Sequence, residues 1–455
     1  MKDSKEVILK VPKEIRQKVL NAIDSENVIA LCSRLIQFNS LVENEAAEKE
    51  IADYVANHFK KLGLDVRNVA IPDDLLIPGM PKGPHPQVIA RLKGSGGKPL
   101  FMVEGHLDTE PVVNPEKWTH APFSGDIDRQ EGYIYGVGTV NMKQSIASFM
   151  EAIRAIIGSG VKMKGDLMFG GWAQENGGLI GSKYVASHWK ELGLGPLPDM
   201  ILGGEQTDCS GWTSNVGMGL YVITTYGRLA HFSSRYTHHP AYRDSRHINA
   251  VDKMVKIMNE MKDVKKHFVY EKGHYLGDPV MSFGKITSKI AGEGGRACLG
   301  ADECELYVDI RFPPGMTKES CKRDLERMIY NLSIDDPELR ATVKTSPALF
   351  GMESIPVLTP RDLPLLRTLE ATHREVFGED LIVDLDGDGT TTHRSIDWNR
   401  YAGSDMTSFY SVGVPGVNYG PGTVPVTPDE RVSIPQLINH CKVVAITILE
   451  ICGVA

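Results

Sequence analysis

Apolar residues recur along this chain with two different periods, and the two alternate. Behind Asp24, the residues Val28, Leu31, Cys32, Leu35 and Ile36 return every three or four positions, which is the spacing of one helix face, with Asp24 placed to cap it. A second helix is predicted over residues 45–62, with Ile51, Tyr54, Val55 and Phe59 on its face and a stop at Gly63. Short runs at 64–71 and 87–92 read as strands, and the proline-rich stretch 78–86 between them as a loop. Residues 99–104 form a buried strand that ends at Gly105. A helix over 141–157 follows, carrying Ile146, Phe149, Met150, Ile153 and Ile157, then a strand at 166–173, a helix at 181–192 and a strand at 199–204. Strands alternating with helices predict an α/β architecture, a mainly parallel sheet covered by helices on both faces.

After Val216 the pattern changes. Residues 220–226, 280–288, 304–312 and 340–345 read as strands, and 249–261 and 318–332 as amphipathic helices. Strand-helix-strand-strand-helix-strand is an α+β ferredoxin-like open sandwich, here inserted into the first domain. The expected division is 1–214 for the first part of a catalytic domain, 215–350 for the insert and 351–455 for the second part. A chain of 455 residues has length for two cores.

Composition narrows the function classes. Apolar content of 42% and charged content of 24% are those of a soluble globular protein. The net charge of -8 is dispersed without a basic run, so nucleic acid is not an expected partner. The start of the chain is charged and lacks the apolar core of a signal peptide, and the most apolar tail, 443–449, is too short to span a bilayer. Seven cysteines, an odd number with no Cys-x-x-Cys pair, point to free thiols in a reducing cytoplasm.

The strand ending at Gly105 delivers His106 and Asp108 to the rim of a sheet, a neutral imidazole with a carboxylate beside it, which is a metal ligand and its supporting group. The run Gly105-His106-Leu107-Asp108-Thr109-Glu110-Pro111-Val112 resembles the first metal motif of the zinc amidohydrolase and metallopeptidase family of acetylornithine deacetylase, succinyl-diaminopimelate desuccinylase, carboxypeptidase G and carnosinase. The resemblance runs over most of the chain. It implies a catalytic domain with an inserted lid that dimerises through its sheet edge. It also implies two metal ions about 3.5 Å apart that share one water.

Carried onto this sequence, the family pattern departs at particular places. Asn141, in Gly136-Val137-Gly138-Thr139-Val140-Asn141-Met142-Lys143, stands where the resemblance puts a bridging Asp. Gln174-Glu175-Asn176 keeps the general base at Glu175 and replaces a carboxylate ligand by Asn176. Glu205 keeps its ligand position, and Val426 stands where a late His is expected before Pro428-Asp429-Glu430. In the family, the positions of His106 and Glu205 serve one ion and those of Asn176 and Val426 the other. A divalent ion wants anionic or imidazole donors, so one ion is expected, zinc or manganese, held by His106, Glu205 and Asn141. Glu104, Glu110, Asp208 and His393 stay open as replacement ligands.

The resemblance further implies that Asp108 orients His106. It places His231, in Gly227-Arg228-Leu229-Ala230-His231-Phe232-Ser233, as the stabiliser of the charged intermediate across a homodimer. Asn176, Cys298 and Ser404, the last in Gly403-Ser404-Asp405, fall on substrate-contacting positions. Asp384-Leu385-Asp386-Gly387-Asp388-Gly389 resembles a calcium loop, but Ser395 stands at its twelfth position, where a Glu would be needed. Trp172 and Trp212 read as core residues or as stacking faces. The expectation is a metal-dependent hydrolase of a C–N bond in a small molecule, of the deacylase type. Two alternatives stay open: an aromatic aminohydrolase resembling 5-nitroanthranilate aminohydrolase, and a non-catalytic ligand-binding relative.

Overall fold

Asp24 caps the helix Ser25–Ile36 through its side chain, which accepts from the N–H groups of Glu26 and Asn27. Asn44 does the same for Glu45–Lys61 by accepting from Ala47. The computed structural model describes residues 9–76, 80–236, 238–240, 246–272, 276–289, 297–345, 354–384, 402–423 and 425–455. These divide into two compact units, Met1–Ser214 with Val357–Ala455, and Asn215–Pro356. The expected seam between 350 and 351, His393 and the calcium-like run beyond Asp384 lie outside the described residues.

In the first unit the main sheet has six strands among the described residues. Their order is Asp65–Val69, Gln87–Leu92, Asp166–Trp172, Leu100–His106, Met200–Gly203 and Gly416–Asn418. The last four pair in parallel. Gln87–Leu92 runs antiparallel to both neighbours, which makes the sheet mixed. The physical reason is the return from Val69, which contains no α-helix among the described residues; a parallel return needs a long crossover, usually helical. One face of the sheet packs on Ser25–Ile36, Glu45–Lys61, Lys143–Gly158, Pro364–Phe377 and Ile434–Cys452. The other face carries Trp172, Val185, Trp189, Ile201 and Phe409.

The apolar tail expected at 443–449 is one part of the 19-residue helix Ile434–Cys452. That helix is long and apolar enough to cross a membrane. Leu437, Val443, Val444, Ile448 and Leu449 are nevertheless wholly buried against the main core, as a central helix of a globular unit requires. All seven cysteines are unpaired, and Cys298 alone among them is not fully buried.

The second unit has a four-stranded antiparallel sheet ordered Val280–Lys289, Glu303–Phe312, Gly217–Tyr226 and Arg340–Thr345. Along Glu303–Phe312 every second residue is buried, the period of a strand with one covered face. Ala250–Met261 and Lys318–Asp335 cover that face, with Met254, Ile257, Leu325 and Met328 set against Ile223, Leu306 and Ile310. Thr317 opens the second helix with a capping box to Ser320.

The four parallel strands of the first unit end at a common rim. There His106 lies opposite Trp172, Glu104 opposite Gly203 and Gly203 opposite Asn418. The carboxyl ends of parallel strands are where open α/β sheets bind ligands.

Candidate active site

All seven residues of Leu100–His106 are buried. Gly105 leaves room for a close approach, since a Cβ there would stand 2.4 Å from Met142 Cε. The Asn141–Met142 turn, whose peptide bond is cis, therefore seats directly against the strand end. His106 Nε2 lies 3.0 Å from Asn141 Oδ1 and 3.9 Å from Glu175 Oε2. Its Nδ1 lies 2.8 Å from the carbonyl oxygen of Asp108.

The Asp108 carboxylate is used differently from what the motif led one to expect. It is 3.9 Å from His106 Nδ1, whereas Asp108 Oδ1 accepts from the Glu175 N–H at 3.0 Å. Asp108 Oδ2 accepts from the backbone N–H of Asn176 at 2.9 Å and from its Nδ2 at 3.1 Å. The carbonyl of Asp108 thus orients the imidazole, and the carboxylate holds the turn that bears Glu175.

Burial and crowding dominate the electrostatics. Glu104, Asp108, Glu205, Asp405 and His106 are each at most 5% exposed. Burial raises Glu104 and Glu175 well above the usual carboxylate range, and the nearby Asp405 charge raises both further. Glu205 is pushed up to about 8, first by burial, although His106 pulls it back. Asp405 is pushed up to about 7 by burial; Ser182 is its neighbouring hydroxyl, and neither carboxylate oxygen finds a hydrogen bond of ordinary geometry. Burial would lower His106, but Asp108, Glu205 and Asp405 outweigh it and the imidazole is raised. Trp172 Nε1 donates to Glu104 Oε2 at 2.7 Å, so this tryptophan is a core residue with its polar edge turned to the site. Trp212 is also buried and donates to the Ser214 carbonyl.

This surplus of buried negative charge around one imidazole fits a cation. Among the described residues no three His, Cys, Asp or Glu side chains converge as a ligand set. The donors beside the imidazole Nε2 are the Asn141 amide oxygen and the Glu175 carboxylate.

The neighbouring half of the site is of another kind. Asn141, Glu110, Thr109, Val113, Trp118, Val137 and Val426 line a narrow cleft there. Its buried carboxylate, Glu430, is satisfied by the backbone: Oε1 accepts from Gly138 at 3.0 Å and Val140 at 2.9 Å, and Oε2 from Val426 at 3.1 Å. Asp208, one of the open replacement ligands, bonds instead to Gln436.

Ser404 is buried, and its Oγ accepts from Asn418 Nδ2 at 3.0 Å. His231 and Cys298 belong to the second unit. His231 is exposed with its Nδ1 2.8 Å from Ser233 Oγ, and Cys298 sits in the short turn Ala297–Leu299. Sequence reasoning left Asp405 as pocket lining and did not single out the buried carboxylates Glu48 and Glu430. Glu430 had a signal, as the last residue of the run Pro428-Asp429-Glu430; Glu48, on a helix face among apolar neighbours, had none.

Residues 102–450 match the profile of peptidase family M20/M25/M40, and the chain belongs to that family. It is a hydrolase of carbon–nitrogen bonds, in a family that depends on metal, typically zinc. Among curated relatives, it is 25% identical over 444 residues to N-formyl-4-amino-5-aminomethyl-2-methylpyrimidine deformylase of Bacillus subtilis, covering 94% of this chain and 95% of the relative. It is 26% identical to succinyl-diaminopimelate desuccinylase of Hydrogenovibrio crunogenus, covering 77% and 82%. Among solved structures, aminopeptidase PepT of Bacillus cereus superposes with a TM-score of 0.69 at 17% identity, covering 95% of this chain and all of that one. Human carnosine dipeptidase 1 superposes at 0.62 and 15% identity, covering 96% and 99%. These two establish the shared fold.

Proposed function

We propose that this protein hydrolyses the amide of a small N-formylated or N-acylated amine, with one divalent ion, zinc or manganese, held by His106, Glu205 and the Asn141 amide oxygen. The observation that carries this reading is the lopsided charge of the site. Glu104, Glu175, Glu205 and Asp405 crowd one imidazole, while on the other side Asn176 and Val426 are neutral and Glu430 is bonded to the backbone, which leaves Glu110 as the open carboxylate of that cleft. A bound ion would lower the pKa of water and polarise the amide carbonyl.

The remaining steps fall to the protein's own side chains. Glu175 takes a proton from the attacking water and returns it to the leaving nitrogen, so that one C–O bond forms, the C–N bond breaks, and acid and amine leave. Asp108 keeps the Glu175 backbone in register with His106. His231, presented by a second copy in a homodimer, stabilises the oxyanion, and Asn176, Cys298 and Ser404 contact the substrate. The second unit acts as lid and dimerisation module, and the enzyme works in the cytoplasm. The relatives named for deformylation and desuccinylation support the choice of substrate class.

The test is metal content per chain by elemental analysis, paired with release of free amine from N-formyl-4-amino-5-aminomethyl-2-methylpyrimidine and a panel of N-acyl amino acids. About one ion per chain, with turnover abolished in Glu175→Gln, is expected. Two ions would sink the single-ion reading, and ligand binding without turnover would favour a binding protein.

A further inference from the structure

Asp108 holds the turn bearing Glu175 from the side of the imidazole. The same turn is also held from the opposite side, by residues to which no role has been given. Glu48 and His85 are both wholly buried and bonded to each other, through His85 Nδ1 and Glu48 Oε2. His85 Nε2 faces the carbonyl of Pro81 at 2.8 Å, so that nitrogen carries a hydrogen. The second oxygen of Glu48 accepts from Gln174 Nε2 at 2.9 Å and from the Gln174 N–H at 3.3 Å. Gln174 Nε2 also donates to the Val42 carbonyl at 2.8 Å. One residue earlier, the Ala173 N–H donates to Gln87 Oε1 at 2.9 Å, and Gln87 Nε2 donates to the His85 carbonyl at 2.6 Å.

These contacts meet the chain where it is least free to relax. Gln174 has a φ of 64°, a left-handed conformation that a residue with a side chain adopts at a cost, and it immediately precedes Glu175. At Gly177 an added Cβ would stand 2.4 Å from Gln174 Oε1 and 2.9 Å from Met80 Cε. The turn is therefore clamped against the 80–87 segment as well as against Glu48. A buried ion pair whose partners are also fully hydrogen-bonded is rigid, and truncating one partner strands the other.

We propose that Glu48 and His85 are a positioning pair, which acts through Gln174 to fix the orientation of Glu175. This rests on Glu175 being the general base. A base displaced by about 1 Å loses rate on the order of 10²-fold, without a matching loss of substrate binding.

The test uses full-length, metal-loaded protein and the deformylation substrate named above. In Glu48→Gln, kcat is expected to fall about tenfold to a hundredfold, with KM and metal content within about twofold of wild type. Amide exchange over 173–179, read by mass spectrometry, should speed up by a similar factor. Adding Gln174→Glu, which returns a carboxylate beside His85, should recover part of kcat in a double-mutant cycle. Gln174→Asn is the second variant should Glu48→Gln not fold, and the same kcat-only loss is expected of it. Unchanged kcat and exchange would overturn the proposal. So would a loss of kcat accompanied by raised KM and lost metal, because that pattern marks a merely structural pair. If Glu175→Gln still turns over, the general-base reading fails; if it is inactive while Glu48→Gln behaves as wild type, only the positioning role fails.

Discussion

The two halves of the candidate site hold their buried carboxylates with different partners. Around His106 burial raises Glu104, Glu175, Glu205 and Asp405, neighbouring carboxylate charges raise them further, and neither oxygen of Asp405 has a hydrogen bond of ordinary geometry. Beside Val426 the carboxylate of Glu430 takes backbone N–H donors from Gly138, Val140 and Val426, although burial still raises it to about 7, and Glu110 lines the same cleft. A buried charge that is not neutralised is costly, so the crowded half favours a cation more than the half beside Val426 does.

The comparison breaks most sharply at His106. His106→Ala removes the imidazole donor, and the expected outcome is loss of bound metal together with at least about 10³-fold loss of turnover, checked by elemental analysis and amine release. Retained metal would mean that the carboxylates alone hold the ion. Glu175→Gln should cost about 10²- to 10⁴-fold in kcat while leaving the metal in place, which separates the base from the ligands. The same variant that loses its metal would place Glu175 among the ligands.

Rebuilding the second half is a milder and more pointed change. Val426→His alone should leave the count at one ion, because an imidazole adds no negative charge to the cleft that Glu110 and Glu430 line with Val113, Val137 and Trp118. Asn141→Asp, Asn176→Glu and Val426→His together supply two carboxylates and an imidazole, and should raise the count to about two. A second ion bound by the unmodified protein, or by Val426→His alone, would show that the Val426 half favours a cation more than its hydrogen bonds imply.

How much of this could be read from the sequence depended on whether a residue's meaning is local. The strand 87–92 and the helix capped by Asp24 were legible because period and cap are written into neighbouring positions. His106, Glu175 and Glu205 were legible because each sits in a short motif. The reversed direction of Gln87–Leu92 was not, since pairing direction is set by a partner strand about eighty residues away. Asp108 was read as a carboxylate for His106 because spacing says which residues are near and not which oxygen points where. Asp405 and Glu48 escaped for a third reason. A carboxylate on an ordinary helix or loop looks solvated until the fold buries it, and only then does its charge become a demand on its neighbours.

The smallest effect concerns the base of the Val426 half, the segment that runs through Tyr419 to Val426. Two histidines hold Tyr419. His373 Nδ1 lies 2.8 Å from its hydroxyl, and His440 Nε2 lies 3.1 Å from its carbonyl oxygen. Burial pushes both imidazoles down to about 4, and the other nitrogen of His440 is buried without a partner. A folded value below the ordinary 6.5 means that the unfolded chain binds protons first as pH falls. The stability these neutral rings contribute is therefore complete above about pH 6.5 and is lost progressively toward pH 4, by about 1.4 kcal/mol per pH unit for each extra proton taken up on unfolding. His440→Leu removes one such proton. It should cost roughly 1 kcal/mol at pH 7 through the lost hydrogen bond, yet flatten the fall of the urea midpoint between pH 6.5 and 4.5 relative to wild type. Parallel curves for the two proteins would mean that the ring is already protonated in the fold. The Val426 half would then conceal a charge, and its contrast with the His106 half would weaken.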